Sequence, residues 1–278
     1  MKNMKWLKKI ALGFLFILLC NLILILSISL NLKNMIIDEI IVETITEKIT
    51  NKTYEAENEL VLDENLINDE RVKAILESRE AQELIDKYLD IFIDSIVNDE
   101  DFNELEIEKD FLEYLRENKD TLEKIIGQEI TEEMINETEK QLESKDFTKS
   151  FQQTIDSTKK VITSSEKTVI RGYQLMTSFW FQFTLSCLIC VTVILICFLQ
   201  KSFFEGIKTL GKALITSSIF LFLICFIVEF IVENLSQMQN FRLSSLWKTG
   251  IVIFIFGILF FVFYSLILKV RKKSHEIS

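Results

Sequence analysis

The 278-residue chain has no proline, seven glycines and one histidine. Without proline, no helix loses a backbone N–H to a pyrrolidine ring, so long helices are expected. The single histidine, His275, lies in the C-terminal tail, which excludes a histidine-based zinc site or catalytic triad in the segment 33–171. Gly127 is the only glycine in that segment, so few sharp turns are expected there.

Cysteine is missing from the segment 33–171, because all five cysteines fall in apolar stretches elsewhere. That segment cannot be held by disulfide bonds. The pair Cys187-x-x-Cys190 resembles that of four-span membrane thiol oxidoreductases, which place it near the outer surface and pass electrons to further exposed cysteines. Here the pair lies deep in apolar sequence. Inert thiols that pack like small apolar side chains are therefore the favoured interpretation.

Four apolar runs are long enough to cross a bilayer, which takes roughly 20 helical residues. They predict transmembrane helices at 10–32, 172–200, 213–232 and 249–268. The run 172–200 contains no Asp, Glu, Lys or Arg. The first run is longer than the apolar region of a signal peptide and shows no small-residue cleavage site, so we predict an uncleaved helix.

Charge divides the chain into two kinds of segment. Residues 31–171 hold 37 acidic and 18 basic residues, a net charge of −19, whereas the whole chain has a net charge of −10. The remainder is therefore net basic. An acidic segment has little to offer the phosphates of a nucleic acid, so a nucleic-acid partner is not expected. The asymmetry predicts a separate acidic helical domain at 33–171.

Apolar spacing predicts several helices in the acidic segment. The clearest is Ala81–Val97, and Glu104–Glu117 follows it. A short helix is expected to start with Asp120 and Glu123 as a capping box and to stop at Gly127. Another begins at Thr131. The apolar stripe of the first helix comprises Leu84, Ile85, Tyr88, Leu89, Phe92 and Ile96.

The segments that adjoin the membrane are also predicted to be helical. Isoleucines recur every four residues from Ile37 to Ile49, so the first helix is expected to continue outside the membrane. The many β-branched residues of this stretch leave a strand as the alternative. The apolar face of the last soluble helix slips near Ser144–Asp146, which predicts a break or kink there. Beyond that break, one continuous helix is expected to run from Phe147 through Arg171 into the second span.

Basic residues in short segments predict how the chain is threaded, because they are retained on the cytoplasmic side. The N-terminus 1–9 carries four, the loop 201–212 three and the tail 269–278 four, whereas the loop 233–248 holds two. Both termini are then cytoplasmic, and 33–171 is extracytoplasmic. The loop 201–212 is amphipathic and is predicted to lie in the membrane interface.

Three polar residues in the apolar runs are candidate intramembrane sites. Asn21 lies near the middle of the first span, where polar side chains usually face another helix. Glu229 and Glu233 are four residues apart near the outer end of the third span. They predict either an ion- or proton-binding site or an interfacial pair balanced by Arg242 or Lys248.

One acidic stretch has part of a calcium-loop pattern. Asp99, Asp101 and Asn103 match the first three ligand positions of an EF-hand. The glycine that allows the sharp turn is replaced by Glu104, and the last ligand position is Asp110 rather than glutamate. A solvated acidic linker is the favoured interpretation, and no metal ion or other cofactor is expected.

The fold expected is all-α, with four transmembrane helices and a helical extracytoplasmic domain inserted between spans one and two. We expect a non-catalytic binding, accessory or sensing module in the cell envelope, because no cluster of catalytic residue types stands out. The alternative is a subunit of an oligomeric channel or transporter, with a path lined by Asn21, Gln182, Thr192 and Glu229. A membrane thiol oxidoreductase is the third.

The partners expected are the lipid bilayer and another protein, or a second copy of the chain that associates through the domain or the spans. The protein is expected in the cell membrane. The proline-free composition, rich in Ile, Lys, Asn and Glu, favours a bacterial origin.

Overall fold

The computed structural model describes residues 2–36, 74–76, 78–98, 104–127, 129–142, 153, 156–235 and 243–277. Within these ranges every regular element is a helix, as the composition predicts. The chain divides into unit 1, which joins Met1–Met35 to Met176–Ser278, and unit 2, which is Ile36–Leu175. The predicted helix at 37–49 and the predicted break near Ser144–Asp146 lie outside the described residues.

The helices are numbered here in chain order. A short helical stretch at 156–161 precedes the sixth of them. The helices are α1 (Lys2–Ile36), α2 (Arg79–Asn98), α3 (Glu104–Glu117), α4 (Lys119–Ile126), α5 (Glu132–Leu142), α6 (Ser164–Thr177), α7 (Phe179–Gln200), α8 (Phe203–Leu235) and α9 (Ser244–Ile277).

Four helices of unit 1 are long and apolar enough to cross a membrane: α1, α7, α8 and α9. This is the pattern of a multi-pass membrane protein. With 35 residues, α1 is about 52 Å long, whereas the hydrocarbon core is about 30 Å thick. Helix α1 therefore extends well beyond the predicted span 10–32.

The helix expected to run unbroken from Phe147 through Arg171 into the second span is interrupted twice. Ile162 and Thr163 are non-helical, and Ser178 separates α6 from α7. Each interruption is capped. The Ser178 hydroxyl accepts a hydrogen bond from the N–H of Phe181, and Thr163 bonds in the same way with Glu166. Side chains that satisfy a new helix start end the preceding helix. The second span therefore begins at Phe179 rather than at 172.

The segment 201–212 is not a separate interfacial helix, because α8 runs without a break from Phe203 to Leu235. The turn between α7 and α8 consists of Lys201, in the left-handed conformation with φ 59°, and Ser202. The amphipathic face is used against α9: the Tyr264 hydroxyl donates to the Glu205 carboxylate, and the Lys208 ammonium lies 4.8 Å from the Tyr264 ring centre.

Helices α8 and α9 approach each other closely at two glycines. A Cβ on Gly257 would lie 2.7 Å from Cγ1 of Ile215 and 3.0 Å from the carbonyl oxygen of Gly211. Only a residue without a side chain allows this separation. Helix α8 also packs with α1 and α7. They share a cluster of four buried residues: Leu19 and Ile23 of α1, Ile196 of α7 and Ala213 of α8.

Unit 2 is built around α3, which packs against α2, α4 and α5. Its core holds Leu112, Leu122, Ile130 and Ile135. Two ion pairs, each between partly exposed side chains, connect the same helices: Lys87 of α2 with Asp110 of α3, and Arg116 of α3 with Glu139 of α5. Because such pairs contribute little, the buried aliphatic core carries the stability.

The apolar face of α2 is rotated relative to the predicted stripe. Ile96 is 1% exposed, and Ile93 and Val97 are buried, whereas Phe92 is only half-buried. The helix itself confirms the prediction, extending it by two residues before Ala81 and one beyond Val97. The stripe and the core differ because the apolar residues of this helix surround more than half of its circumference.

The predicted helix ends in unit 2 are partly confirmed. Gly127 is the left-handed cap of α4, with φ 75°, and the Thr131 hydroxyl accepts from the N–H of Met134. The capping box at Asp120 is wrong, because α4 begins at Lys119. The Glu123 carboxylate instead accepts a hydrogen bond from the N–H of Ile130, 2.8 Å away.

Two glycine substitutions should change the stability of unit 2 in opposite directions. Gly127→Ala should lower the free energy of unfolding of unit 2 by about 1 kcal/mol, because an alanine side chain is strained at positive φ. Gly172→Ala should raise it by roughly 0.5–1 kcal/mol, because Gly172 lies inside α6 and its Cβ would meet no atom within 4 Å. Circular dichroism of the full-length protein in detergent during urea unfolding measures both. Equal changes in the free energy of unfolding would contradict the conformations assigned to Gly127 and Gly172.

Candidate functional site: a polar layer at one end of the membrane helices

Asn31 forms the centre of a polar layer at the end of unit 1 where α1 ends and α9 begins. The Asn31 side chain is 8% exposed. Its Oδ1 accepts hydrogen bonds from the hydroxyls of Ser245 at 2.9 Å and Thr249 at 3.0 Å, and its Nδ2 donates to the carbonyl oxygen of Ser27 at 2.7 Å. Ser245 and Thr249 share one face of α9. Asn31 therefore joins the first membrane helix to the last.

Ser29 joins α1 to the junction between α6 and α7. Its hydroxyl donates to the carbonyl oxygen of Met176, and the Gln182 amide donates to the carbonyl oxygens of Ser29 at 3.3 Å and Thr177 at 3.4 Å. The last carbonyls of a helix have no intrahelical partners. At the end of α6, the Ser29 hydroxyl and the Gln182 amide supply those partners. Within unit 1, these bonds hold together the segments by which the chain leaves that unit and returns.

Glu229 binds the start of α9. One oxygen of its carboxylate accepts hydrogen bonds from the N–H of Leu243 at 2.7 Å and from the indole N–H of Trp247 at 2.9 Å. A carboxylate is favourable there because the N-terminus of a helix carries partial positive charge. The Trp247 ring also stacks on Phe222, with ring centres 5.1 Å apart.

The structure bears on only part of the prediction that Glu229 and Glu233 form an interfacial pair balanced by Arg242 or Lys248. Glu233 and Lys248 are both exposed, and the hydrogen bonds of Glu229 go to Leu243 and Trp247. Arg242 lies outside the described residues. Glu229 therefore acts as a connection between α8 and α9, and the balancing role predicted for Lys248 receives no support.

Asn21 does not face another helix of the same chain. Its side chain is exposed, and its amide donates to the carbonyl oxygen of Ile17 in its own helix, 2.9 Å away. Thr192 likewise bonds within its own helix, to Leu188. Gln182 and Glu229 belong to the polar layer. The four residues considered for a channel path are therefore engaged separately, at different places in unit 1.

The cysteine pair and the possible metal ligands give no second site. Cys187 and Cys190 are free thiols exposed on the surface of α7, a helix apolar enough to cross a membrane, so they are not buried between the helices of unit 1. Among the residues described, no three of His, Cys, Asp or Glu come together as metal ligands do. The calcium-like stretch at 99–103 is not described.

The sequence singled out Glu229 and Gln182 but not the rest of the polar layer. Local signals existed for Ser245 and Thr249, which have helical i, i+4 spacing, and for the α6–α7 junction beside the layer, where Ser178 is a preferred residue for starting a helix. Their partners are distant in the sequence, and no local pattern pairs them. Since its groups are hydrogen-bonded to one another, the layer can hold helices in register.

Two substitutions at Glu229 separate a hydrogen-bonding role from a role that needs charge. Glu229→Gln keeps an acceptor oxygen, so the thermal midpoint of the full-length protein in detergent should stay near that of the unmodified protein. Glu229→Ala should destabilise it by about 1–3 kcal/mol, because the Trp247 and Leu243 donors lose their partner.

The matched control is Glu233→Ala, which removes an exposed carboxylate one turn away and should have little effect. If Glu229→Gln were as damaging as Glu229→Ala, the negative charge itself would be needed, and an ion-binding role would replace the connecting one.

Comparison with known proteins gives no further assignment. No protein-family description matches the chain, and neither a curated protein nor a solved structure matches it. The function of this membrane protein therefore has to be argued from the charges, exposed surfaces and hydrogen bonds of its own residues.

Proposed function

We propose that the protein is a non-catalytic membrane protein whose acidic helical unit binds another protein on the extracytoplasmic side, as an accessory or sensing component. The observation that carries this proposal is an open apolar groove in unit 2. The membrane helices serve as the anchor. The groups of their polar layer are hydrogen-bonded to one another, as expected of groups that hold helices together.

The groove lies where the chain bends at Ile162 and Thr163, between the helical stretch 156–161 and α6. It encloses about 620 Å³. Val161 is 79% exposed and Val169 72%, although both are aliphatic. Its lining residues are Ser157, Thr158, Val161, Ile162, Glu166, Val169 and Ile170. Apolar side chains gathered in an open concave surface are typical of a site that another molecule covers.

The charges around the groove favour an acidic occupant. Residues 156–171 hold four basic and two acidic residues, within a unit that is otherwise strongly acidic. Lys160 and Arg171, which adjoin the lining residues Val161 and Ile170 in the sequence, are exposed. The pKa of Glu166 is lowered by hydrogen bonds from the backbone N–H and the hydroxyl of Thr163. Glu166 is therefore ionised at neutral pH and engaged in capping α6.

These features fit one kind of partner: an amphipathic helix of another protein, with an apolar face and acidic residues beside it. The apolar face would cover Val161 and Val169, and the acidic residues would lie near the basic ones. Electrostatic complementarity of this kind contributes mainly to the association rate and to specificity.

The side of the membrane follows from the basic segments. Those at 1–9, 201–212 and 269–278 together hold eleven Lys and Arg, and alternating spans bring them to one side. The positive-inside rule makes that side cytoplasmic. Both termini are then cytoplasmic, and unit 2 is extracytoplasmic. The membrane that the helices cross is the cell membrane of a bacterium.

Photo-crosslinking in intact cells tests the groove. Benzoylphenylalanine at Val161 or Val169 of the full-length protein should give an adduct with another protein, because both side chains are exposed in the groove. The matched control is Thr168, which is also exposed but points about 100° away from Val169 on the same helix.

Adding Val169→Glu should then remove most of the adduct formed at Val161, since the new charge would lie against an apolar face and beside acidic residues. Adducts with lipid alone, or equal adducts from Thr168, would contradict a protein-binding groove.

Labelling with a membrane-impermeant maleimide tests the threading independently. Glu137→Cys, exposed on α5, should be labelled in intact cells, whereas Lys201→Cys should react only after permeabilisation. The unmodified protein is the control, because its five cysteines lie in apolar helices. The reverse pattern would place unit 2 in the cytoplasm.

A further inference from the structure

One face of α1 is exposed rather than buried in the packed core of unit 1. Ile10, Phe14, Ile17 and Asn21 recur along it at spacings of four, three and four residues, and all four are exposed. Phe14 is 67% exposed and Ile17 61%. The opposite face, which includes Leu19 and Ile23, is buried in the packed cluster that α1 shares with α7 and α8.

Asn21 is the one amide on this face, and it lies close to the midpoint of the apolar helix Lys5–Ile36. One of its N–H groups donates to the carbonyl oxygen of Ile17. Its second N–H and its Oδ1 bond to no residue in the part of the chain that the structure describes. Hydrocarbon offers no hydrogen bonds, so these two groups are costly against lipid.

We propose that α1 pairs with α1 of a second copy of this chain, and that the two Asn21 side chains hydrogen-bond to each other. A carboxamide is both donor and acceptor, so two of them related by a two-fold axis satisfy each other reciprocally. This pairing meets the unsatisfied N–H and Oδ1 without requiring any other polar residue.

The membrane itself favours a second copy over a different protein. All copies insert with the same orientation, so their α1 helices are parallel and their Asn21 residues lie at the same depth. A different partner would need a polar residue at that depth by coincidence. The spacing of four, three and four residues is also that of a parallel left-handed helix pair, in which one asparagine sets the register.

The pairing is independent of the groove in unit 2, because it uses only residues of α1. Gly13 is also exposed and has open space around it, so it does not obstruct the approach of a second helix. Failure of the partner-binding proposal would leave the α1 pairing intact, and failure of the pairing would leave the groove unaffected.

The first test measures the dissociation constant of the full-length protein in lipid bilayers by single-molecule photobleaching. The unmodified protein should form dimers. Asn21→Leu should weaken the dimer by about 3- to 30-fold, the effect expected for an interhelical amide hydrogen bond. Asn21→Gln, which keeps both donor and acceptor, should retain most of the affinity.

The matched control is Ser186→Ala on α7. Ser186 is also exposed on a membrane helix and donates to a carbonyl of its own helix, at 2.9 Å. Its removal should leave the dissociation constant unchanged. Thermal midpoints of all variants, measured in detergent, should remain similar, because none of these side chains lies in the packed core.

The second test is geometric. With copper phenanthroline as oxidant, Ile17→Cys should form a disulfide-linked dimer of the full-length protein, because Ile17 lies on the proposed seam. Ile255→Cys should not form such a dimer, although Ile255 on α9 is exposed to a similar extent. Crosslinking of Ile17→Cys should also fall when Asn21→Leu is added.

Three results would overturn the proposal: a protein that is monomeric in bilayers, a dimer whose affinity is the same with Asn21→Leu, or crosslinking from Ile255→Cys that equals that from Ile17→Cys. An Asn21-dependent complex with a different protein, in the absence of a homodimer, would also overturn it.

Discussion

Polar groups in a membrane must find partners within the protein, because hydrocarbon provides none, and this constraint organises unit 1. Its helices have little hydrophobic reason to associate, since lipid is as apolar as their surfaces. What holds them is close approach at Gly211 and Gly257 and the polar layer around Asn31. The layer joins α1 to α9, α8 to α9, and α1 to the α6–α7 junction.

Exposure of an apolar side chain has different meanings in the two units. Phe179 and Trp180 of α7 are exposed in the same way as Val161 and Val169, but they belong to a helix able to cross a membrane, where lipid covers them. The two valines belong to an acidic unit that offers no such cover. On the exposed face of α1, lipid can cover the Ile17 side chain but cannot hydrogen-bond to the Asn21 amide. Asn21 therefore distinguishes this face from one that only lipid covers.

Much of the fold could be predicted, because hydropathy and helix-end chemistry are local. The four long apolar runs identified the four membrane helices, Glu104–Glu117 matches α3, and Gly127 and Thr131 mark helix ends as expected. The helix predicted to run unbroken into the second span was wrong because Thr163 and Ser178 each cap the start of a new helix. The polar layer was largely missed, because Ser29 and Asn31 bond to residues far along the chain, and the sequence carries no local sign of such pairs.

The partners of Asn31 have a consequence for the order of events during synthesis. Ser245 and Thr249 lie 214 and 218 residues further along the chain. At ribosomal rates of about 5–20 residues per second, α1 waits roughly 10–40 s before α9 exists. During that interval the Asn31 Oδ1 needs a temporary partner, such as interfacial water or the insertion machinery, whereas Nδ2 can already donate to Ser27 of the same helix. In a chain that ends before α9, the Asn31 Oδ1 never gains its native partners.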